Sequence, residues 1–407
     1  MQNNIAVLLP YKDQFIKDNA GSASIWVKDF SKDSKLKKNT TIFGYTSNVS
    51  KTFDNFNYVN LKFSNFGVQS KNLKYVNKFI DVLNRKKFSL IEIHNRPSYI
   101  LHIEKNLPNQ KYILVIHNNP QTLRGAVTPK ERKHLIKLCS KITFVSNWVK
   151  EKFFEGLDIK NHEKTQVLYP AINKIIKMPK KEKIITFVGK LNHSKGYDTF
   201  GRAIIRILKK YKDWKSIVIG DEPREKYNFK HDRLIHLGWI THDETLQIYK
   251  KSSISVVPSH WEEPFGRTSL EAASRGCATI ISKKGGLPET IPYGLYLNKI
   301  NQNEIYKKIK QLIVNKKGLQ GIVRSPDILS AKIRAIGRYL YSNLTGPNNS
   351  HQYLLEYSED ESTLSLLETE HVLITYIRER KDVVFIEETE VDSFFLRFLE
   401  RYIQDNF

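Results

Sequence analysis

ISVVPSHWEEPFGRTSLEAASRGCATIISK (254–283) decides the fold of this chain. ISVVPS (254–259) and ATIISK (278–283) are continuous apolar runs bounded by polar residues, as strands buried on both faces are. A helix from about 267 to 275 lies between them. Strand, helix and strand in so short a span predict a parallel crossover. The same alternation extends upstream: KIITFVGK (183–190), a helix over 195–211, SIVIGD (216–221), LIHLGWI (234–240) and a helix over 242–251. Residues 184–330 are therefore expected to form a doubly wound, Rossmann-like domain.

A separate series occupies the first half. Its strand candidates are IAVLLP (5–10), TTIFGY (40–45), NYVNL (57–61), SLIEIH (89–94), KYILVIH (111–117) and KITFVS (141–146). Helical stretches separate them, for example NLKYVNKFIDVLNRK (72–86), whose apolar residues recur at three- and four-residue spacing. Residues 1–172 then make a first Rossmann-like domain, and 173–183, rich in lysine, a linker. Two doubly wound sheets facing one cleft are the expected α/β architecture. Beyond them, AKIRAIGRYLYSNL within 331–350 reads as a connecting helix and turn. Residues 351–407 read as an acidic extension, with helix-like patterning in 364–379 and 391–404 and a strand at VVFIEE (383–388).

With 407 residues and 40% hydrophobic content the chain has material for two cores, which excludes global disorder. Two cysteines exclude a disulfide framework and fit a reducing compartment. The run IAVLL (5–9) stops at Pro10 and reads as a buried strand, not a signal peptide; no run approaches the length of a membrane span. A cytoplasmic protein, peripheral at most on the inner membrane face, is expected. The net charge is +24, yet residues 351–407 carry −9, so the rest carries +33. Such a field favours anionic partners, although lysine-rich composition alone produces the same count.

Five places carry candidate chemistry. In EPFGRTSLE (263–271), Glu263 in a loop suits sugar hydroxyls and Glu271 on the following helix suits a ribose. The amides of Phe265 and Gly266 open that helix and can face an anion. In FVGKLNHSKGYD (187–198), Lys190 and Lys195 follow a strand end and suit a diphosphate, with Gly189 and Gly196 allowing close backbone approach. Gly21 precedes Ser22-Ala23 at a helix start after the first strand. His94 and His117 end two strands whose carboxyl ends face the cleft; His117 suits the transferring sugar or the positioning of an acceptor, and His94 or Arg96 the acceptor side. Gly285 and Gly286 in KKGGLPETI (283–291) allow approach to a sugar or phosphate, and Glu289 can cap. The histidines show no metal-ligand spacing with acids, so no metal is expected.

FVGKLNHSKGYD followed about 70 residues later by VPSHWEEPFGRTSLEAASRGCATIISKKGGLPE resembles the GT4 family of retaining glycosyltransferases with the GT-B fold. The specific match covers roughly 184–295, and IEIHNRPSY, VIHNN and VSNWVKEKFF extend it weakly into the first half. The resemblance implies transfer of a hexose from a UDP- or GDP-linked donor, a substrate and not a cofactor, with retention at the anomeric carbon. Glu263 would contact the donor sugar and Glu271 the ribose. Lys190, standing for the family's usual arginine, would hold the diphosphate with Lys195. Phe265, Gly266 and Arg267 would line the phosphate side, His117 would lie near the reacting sugar, and Gly21 would fit the glycine loop. This copy lacks the paired glycines usual at that loop. Glu263, His117 and Lys195 are the catalytic candidates. A glycan or lipid-linked acceptor, as in lipopolysaccharide or surface-polysaccharide synthesis, suits the basic first domain, with an anionic membrane surface as a second partner. A nucleotide-sugar epimerase or sugar phosphorylase on the same fold, and a non-catalytic glycan- or nucleic-acid-binding protein, stay open. No nucleic-acid motif is present, so no nucleic acid is expected.

Overall fold

The computed structural model describes residues 4–314 except 19, 33, 35, 65, 67, 171, 173–178 and 292–293, together with the backbone of 363–369, 372–377 and 382–387. The chain divides into two compact units, residues 1–330 and 331–407.

The first unit holds two parallel sheets. The N-terminal sheet contains β1 (Ile5–Leu8), β2 (Thr40–Gly44), β3 (Tyr58–Asn60), β4 (Leu90–His94), β5 (Tyr112–Ile116), β6 (Cys139–Phe144) and β7 (Thr165–Val167), in the order β3-β2-β1-β4-β5-β6-β7. Its helices are α1 (Ser22–Lys32), α2 (Lys71–Arg85), α3 (Pro97–Asn106), α4 (Pro129–Leu138) and α5 (Asn147–Phe154). The second sheet contains β8 (Glu182–Val188), β9 (Lys215–Ile219), β10 (Leu234–His236), β11 (Ser252–Val257), β12 (Ala278–Ser282) and β13 (Leu295–Leu297), in the order β10-β9-β8-β11-β12-β13. It carries α6 (Tyr197–Lys210), α7 (His242–Lys251), α8 (Arg267–Ser274) and α9 (Gln302–Val314). Sequence patterning missed the short edge strands β7 and β13, whose three residues are too few for a periodic signal.

These elements form for local reasons. Every residue of β1, β4, β5, β11 and β12 is buried, which explains the unbroken apolar runs of β1 and β5 and leaves Glu92 and His94 of β4 as buried polar groups. On α6 the buried positions Tyr197, Phe200, Ala203, Ile204, Ile207 and Leu208 follow the helical period and pack on Ile185, Phe187 and Val256 of the sheet. Capping boxes start α4, from Thr128 and Glu131, and α7, from Thr241 and Glu244.

Strand order reverses between β1 and β4 in one sheet and between β8 and β11 in the other. Loops at the carboxyl ends of such strands splay apart and leave a crevice. Gly189 follows β8, and Glu263 lies between β11 and α8; His94 ends β4, and His117 follows β5. Both crevices belong to the same compact unit.

In the second unit, β14 (Thr363–Thr369), β15 (Val372–Ile377) and β16 (Asp382–Glu387) form an antiparallel sheet in that order. The helix expected over 364–379 is therefore two strands. Its leucines and isoleucines fit either period, and the β-branched and aromatic residues of VLITYI favour the extended form. The strand expected at 383–388 corresponds to β16 within one residue. The helices expected over 331–344 and 391–404 lie outside the described residues.

Candidate functional site

A cavity of about 280 Å³ opens where the two crevices meet. Trp26, His117 and Asn118 line it from the first lobe; Gly189, Lys195, Trp261, Glu263, Phe265, Gly266 and Arg267 line it from the second. Lys195 Nζ donates to Glu263 Oε1 at 2.6 Å and lies 4.6 Å from the ring centre of Trp261. The lysine is held at the end of a short 3-10 turn that Asn192 caps through the amide of Lys195. The Ser194 carbonyl accepts from the amides of His260 and Trp261, which ties this loop to the one carrying Glu263.

Lys190 behaves differently from Lys195. Its side chain is exposed and does not line the cavity, so the two lysines are not a matched pair in this conformation. Gly189 has φ 151 and open space where a side chain would stand, beside the cavity. Gly266 also lines the cavity, whereas three of the other expected glycines serve packing. A Cβ on Gly196, which has φ 73, would stand 2.0 Å from the Pro258 carbonyl oxygen. Gly285 is pressed against the backbone of Glu263, and Gly286 against Pro264 and Ser146. None of these three lines the cavity; they let neighbouring loops approach one another, not a ligand.

Gly21 is a further correction. A Cβ there would lie 2.4 Å from the Asp13 carboxylate, which already accepts from the amides of Ala23 and Ser24 at 3.1 and 3.2 Å. The start of α1 is thus capped by the chain's own acid, although Ser22 still borders the cavity.

Glu271 is buried and turned away from the cavity lining. Its Oε1 accepts from His242 Nε2 and from Arg267 Nε, both at 2.8 Å. Burial alone would raise its carboxyl; the nearby His242 and Arg267 outweigh that and hold it below the usual carboxylate range. Arg267 also reaches across the lobes to Asp29 Oδ2 at 2.5 Å. A second cross-lobe contact is made by Glu289, which accepts from the amides of Asn147 and Trp148 at 2.7 and 2.9 Å and from the Tyr169 hydroxyl at 2.9 Å. An acid from one lobe thus caps α5 of the other.

His117 borders the cavity, but His94 is fully buried behind it and does not meet the acceptor side expected for it. Glu92 Oε1, His94 and His117 form a chain: His94 Nε2 to Glu92 at 2.7 Å and His94 Nδ1 to His117 Nε2 at 2.8 Å. Burial first, then His94 and Arg267, push His117 well below the ordinary imidazole value. Arg96 donates through Nη1 to the Asn95 carbonyl at 2.9 Å.

Sequence spacing also missed a group of metal-capable residues. Among the described residues, ligand atoms of His193, Asp198 and His260 lie within 4.8 Å of one another. The fold, not the spacing, brings His260 to that loop. The two imidazoles stack at 4.5 Å with 17° between their planes, and His193 Nδ1 is engaged with Asp198 Oδ2 at 3.1 Å. The residues that sequence reasoning overlooked in the cavity, Trp26 and Trp261, had one available signal: Trp261 stands within the motif, two residues before Glu263.

Residues 169–324 match the family described as Glycosyl transferases group 1. Spore coat protein SA of Bacillus subtilis (strain 168) is 24% identical over 244 residues, 52% of this chain and 64% of that protein, so the chain spans just under two thirds of this relative. Anabaena Alr3699/HepE, solved in complex with UDP and glucose, superposes with a TM-score of 0.66 at 15% identity, covering 83% of this chain and 98% of that one. WaaG, a glycosyltransferase involved in lipopolysaccharide biosynthesis, superposes with a TM-score of 0.61 at 11% identity, covering 84% and 100%. The fold is GT-B, with two Rossmann-like domains.

Proposed function

We propose that this chain is a glycosyltransferase that moves a hexose from a nucleoside-diphosphate donor to a glycan or lipid-linked acceptor, with retention at the anomeric carbon. The observation that carries this reading is the cavity itself, where Lys195 and Glu263 of one lobe face His117 of the other. The match to Glycosyl transferases group 1 and the bound UDP and glucose of the Anabaena neighbour support it.

The chemistry follows from charge. As the bond from sugar to phosphate breaks, negative charge grows on the diphosphate and positive charge on the sugar. An ammonium has three donors, and Glu263 takes one from Lys195, leaving the others for phosphate oxygens. The amides at the start of α8, preceded by Gly266 in the left-handed conformation, point the positive end of the helix at the same region. Glu263 can accept from sugar hydroxyls and offset the growing positive charge. With no nucleophile assigned for a double displacement, retention is taken as attack by the acceptor from the face the phosphate leaves, with that phosphate taking the acceptor's proton. Arg267 and His242 both hold Oε1 of Glu271, so Oε2 is the atom assigned to the ribose.

A thermal-shift series with UDP, GDP, ADP and their sugar conjugates tests the donor. A ligand at 100 times its dissociation constant adds about 2.7 kcal/mol of stability. One nucleotide should stand out, and its shift should vanish in Lys195→Ala; equal indifference to all of them would remove the transferase reading.

The lipid-linked part of the proposal rests on charge. Residues 1–170 carry 28 bases and 13 acids. Each basic residue near an anionic surface contributes about 1 kcal/mol. Among the described residues no helix is long and apolar enough to cross a membrane. Binding should favour anionic over neutral vesicles and fall with salt; equal binding to both would sink this part.

A further inference from the structure

We propose that the buried pair Glu92 and His94 sets the tautomer of His117 and leaves its Nδ1 as a bare acceptor for a ligand hydroxyl. Glu92 and His94 sit two apart on β4 and so share a face of the sheet. His94 pairs in register with Val115 of β5, which places His117 on that face too. All three side chains are buried, and Trp26 of α1 closes over both imidazoles, with ring centres 5.2 and 5.9 Å away. The His117 amide is held by Asn95 Oδ1 at 3.2 Å, which fixes where the ring starts.

The direction of the chain follows from what each atom is able to do. A carboxylate only accepts, so His94 Nε2 carries a proton and donates to Glu92. With His94 taken as neutral, its bare Nδ1 accepts from His117 Nε2–H; a cationic His94 would donate there instead and put the His117 proton on Nδ1. His117, neutral in its turn, is left with a bare Nδ1, and it is the member of the three that reaches the cavity. The two inner groups are positioning residues; they touch no ligand. Such a network is costly in a sheet core, where apolar residues of the same volume are often as stable or better. Its use is to keep His117 from presenting an N–H where an acceptor is needed.

What that acceptor does rests on the sugar-transfer reading: Nδ1 takes a hydrogen bond from a hydroxyl of the transferring sugar or of the acceptor. The tautomer itself does not rest on it. In Glu92→Gln the amide keeps the shape but can donate as well as accept, so the chain loses its direction.

The test is nitrogen NMR on the full chain with labelled histidine, using His117→Asn and His94→Asn to assign signals. The wild type should show His117 protonated at Nε2 and bare at Nδ1. Glu92→Gln should mix the tautomers and lower kcat by about 10–100-fold, the usual scale for an outer-shell partner, with donor KM little changed. A wild-type His117 protonated at Nδ1 overturns the proposal even if the variant does not fold. So does a Glu92→Gln enzyme with tautomer and kcat both unchanged. A mixed tautomer with unchanged kcat keeps the structural assignment and overturns its catalytic consequence. If the wild type transfers no sugar at all, the functional reading falls, while the spectrum still decides the tautomer.

Discussion

Lys195→Ala should lower kcat by about 10²–10³-fold, the scale seen when one preorganised donor is taken from a developing negative charge. Two effects add in this variant. The cation facing the cavity is gone, and Glu263, which is buried and whose Oε1 accepts from Lys195, loses that partner. An unpaired buried carboxylate destabilises the loop that carries Trp261 and Phe265. Steady-state kinetics and calorimetric binding of the nucleoside diphosphate separate the two. Adding Glu263→Gln to Lys195→Ala should restore thermal stability without restoring kcat. Near-normal kcat in Lys195→Ala would move the leaving-group charge to Arg267 or to a rearranged Lys190. Lys195→Arg should keep part of the activity, because the charge remains while its reach and donor geometry change.

Arg267→Ala should cost about 3–5 kcal/mol of stability, the penalty for breaking a buried pair by removing one partner. Arg267 links Asp29 of the first lobe to Glu271 of the second, so the buried Glu271 and the half-buried Asp29 lose their shared cation at once, leaving His242 beside the one and Lys28, at 3.7 Å, beside the other. Urea unfolding monitored by circular dichroism reads the loss. The pH dependence gives a second, signed result. Glu271 has its carboxyl held below the ordinary 4.5 in the folded chain. Its contribution is complete above 4.5 and is lost as the pH falls through the lower native value. Without Arg267, burial is opposed by His242 with only a more distant contribution from Arg275, so the native carboxyl rises and acid unfolding should begin at higher pH. An acid transition unmoved in Arg267→Ala would mean that His242 and Arg275 sustain Glu271 without it.

The cross-lobe links belong to this conformation. Glu289 on the amides of Asn147 and Trp148, and Arg267 on Asp29, join loops that are 140 and 238 residues apart in the chain to within two residues. No local pattern announces such partners. The sequence marks Glu289 as a residue that can cap without showing which helix, and it gives Asp29 no functional signal. Asp13 was equally silent: an acid in a βα loop reads as surface until the fold sets it against the amides of Ala23 and Ser24.

Sequence alone determined the alternation of buried strands and amphipathic helices, because burial on both faces demands unbroken apolar runs and a helix against a sheet demands a 3.6-residue stripe. It therefore determined the two parallel sheets, and it set Lys195, Glu263 and His117 at the carboxyl ends of strands, where crevices form. It misread 364–379, where apolar residues satisfied the helical and the extended period together. Only the tertiary structure decided which candidates meet. Lys195 turned inward and Lys190 outward, Gly196, Gly285 and Gly286 went to loop packing, and Glu92 and His94 lined up behind His117. The physical reason is range. Periodicity records the environment of a residue relative to its own element, whereas a hydrogen bond or a close approach depends on where a second element, far along the chain, comes to rest.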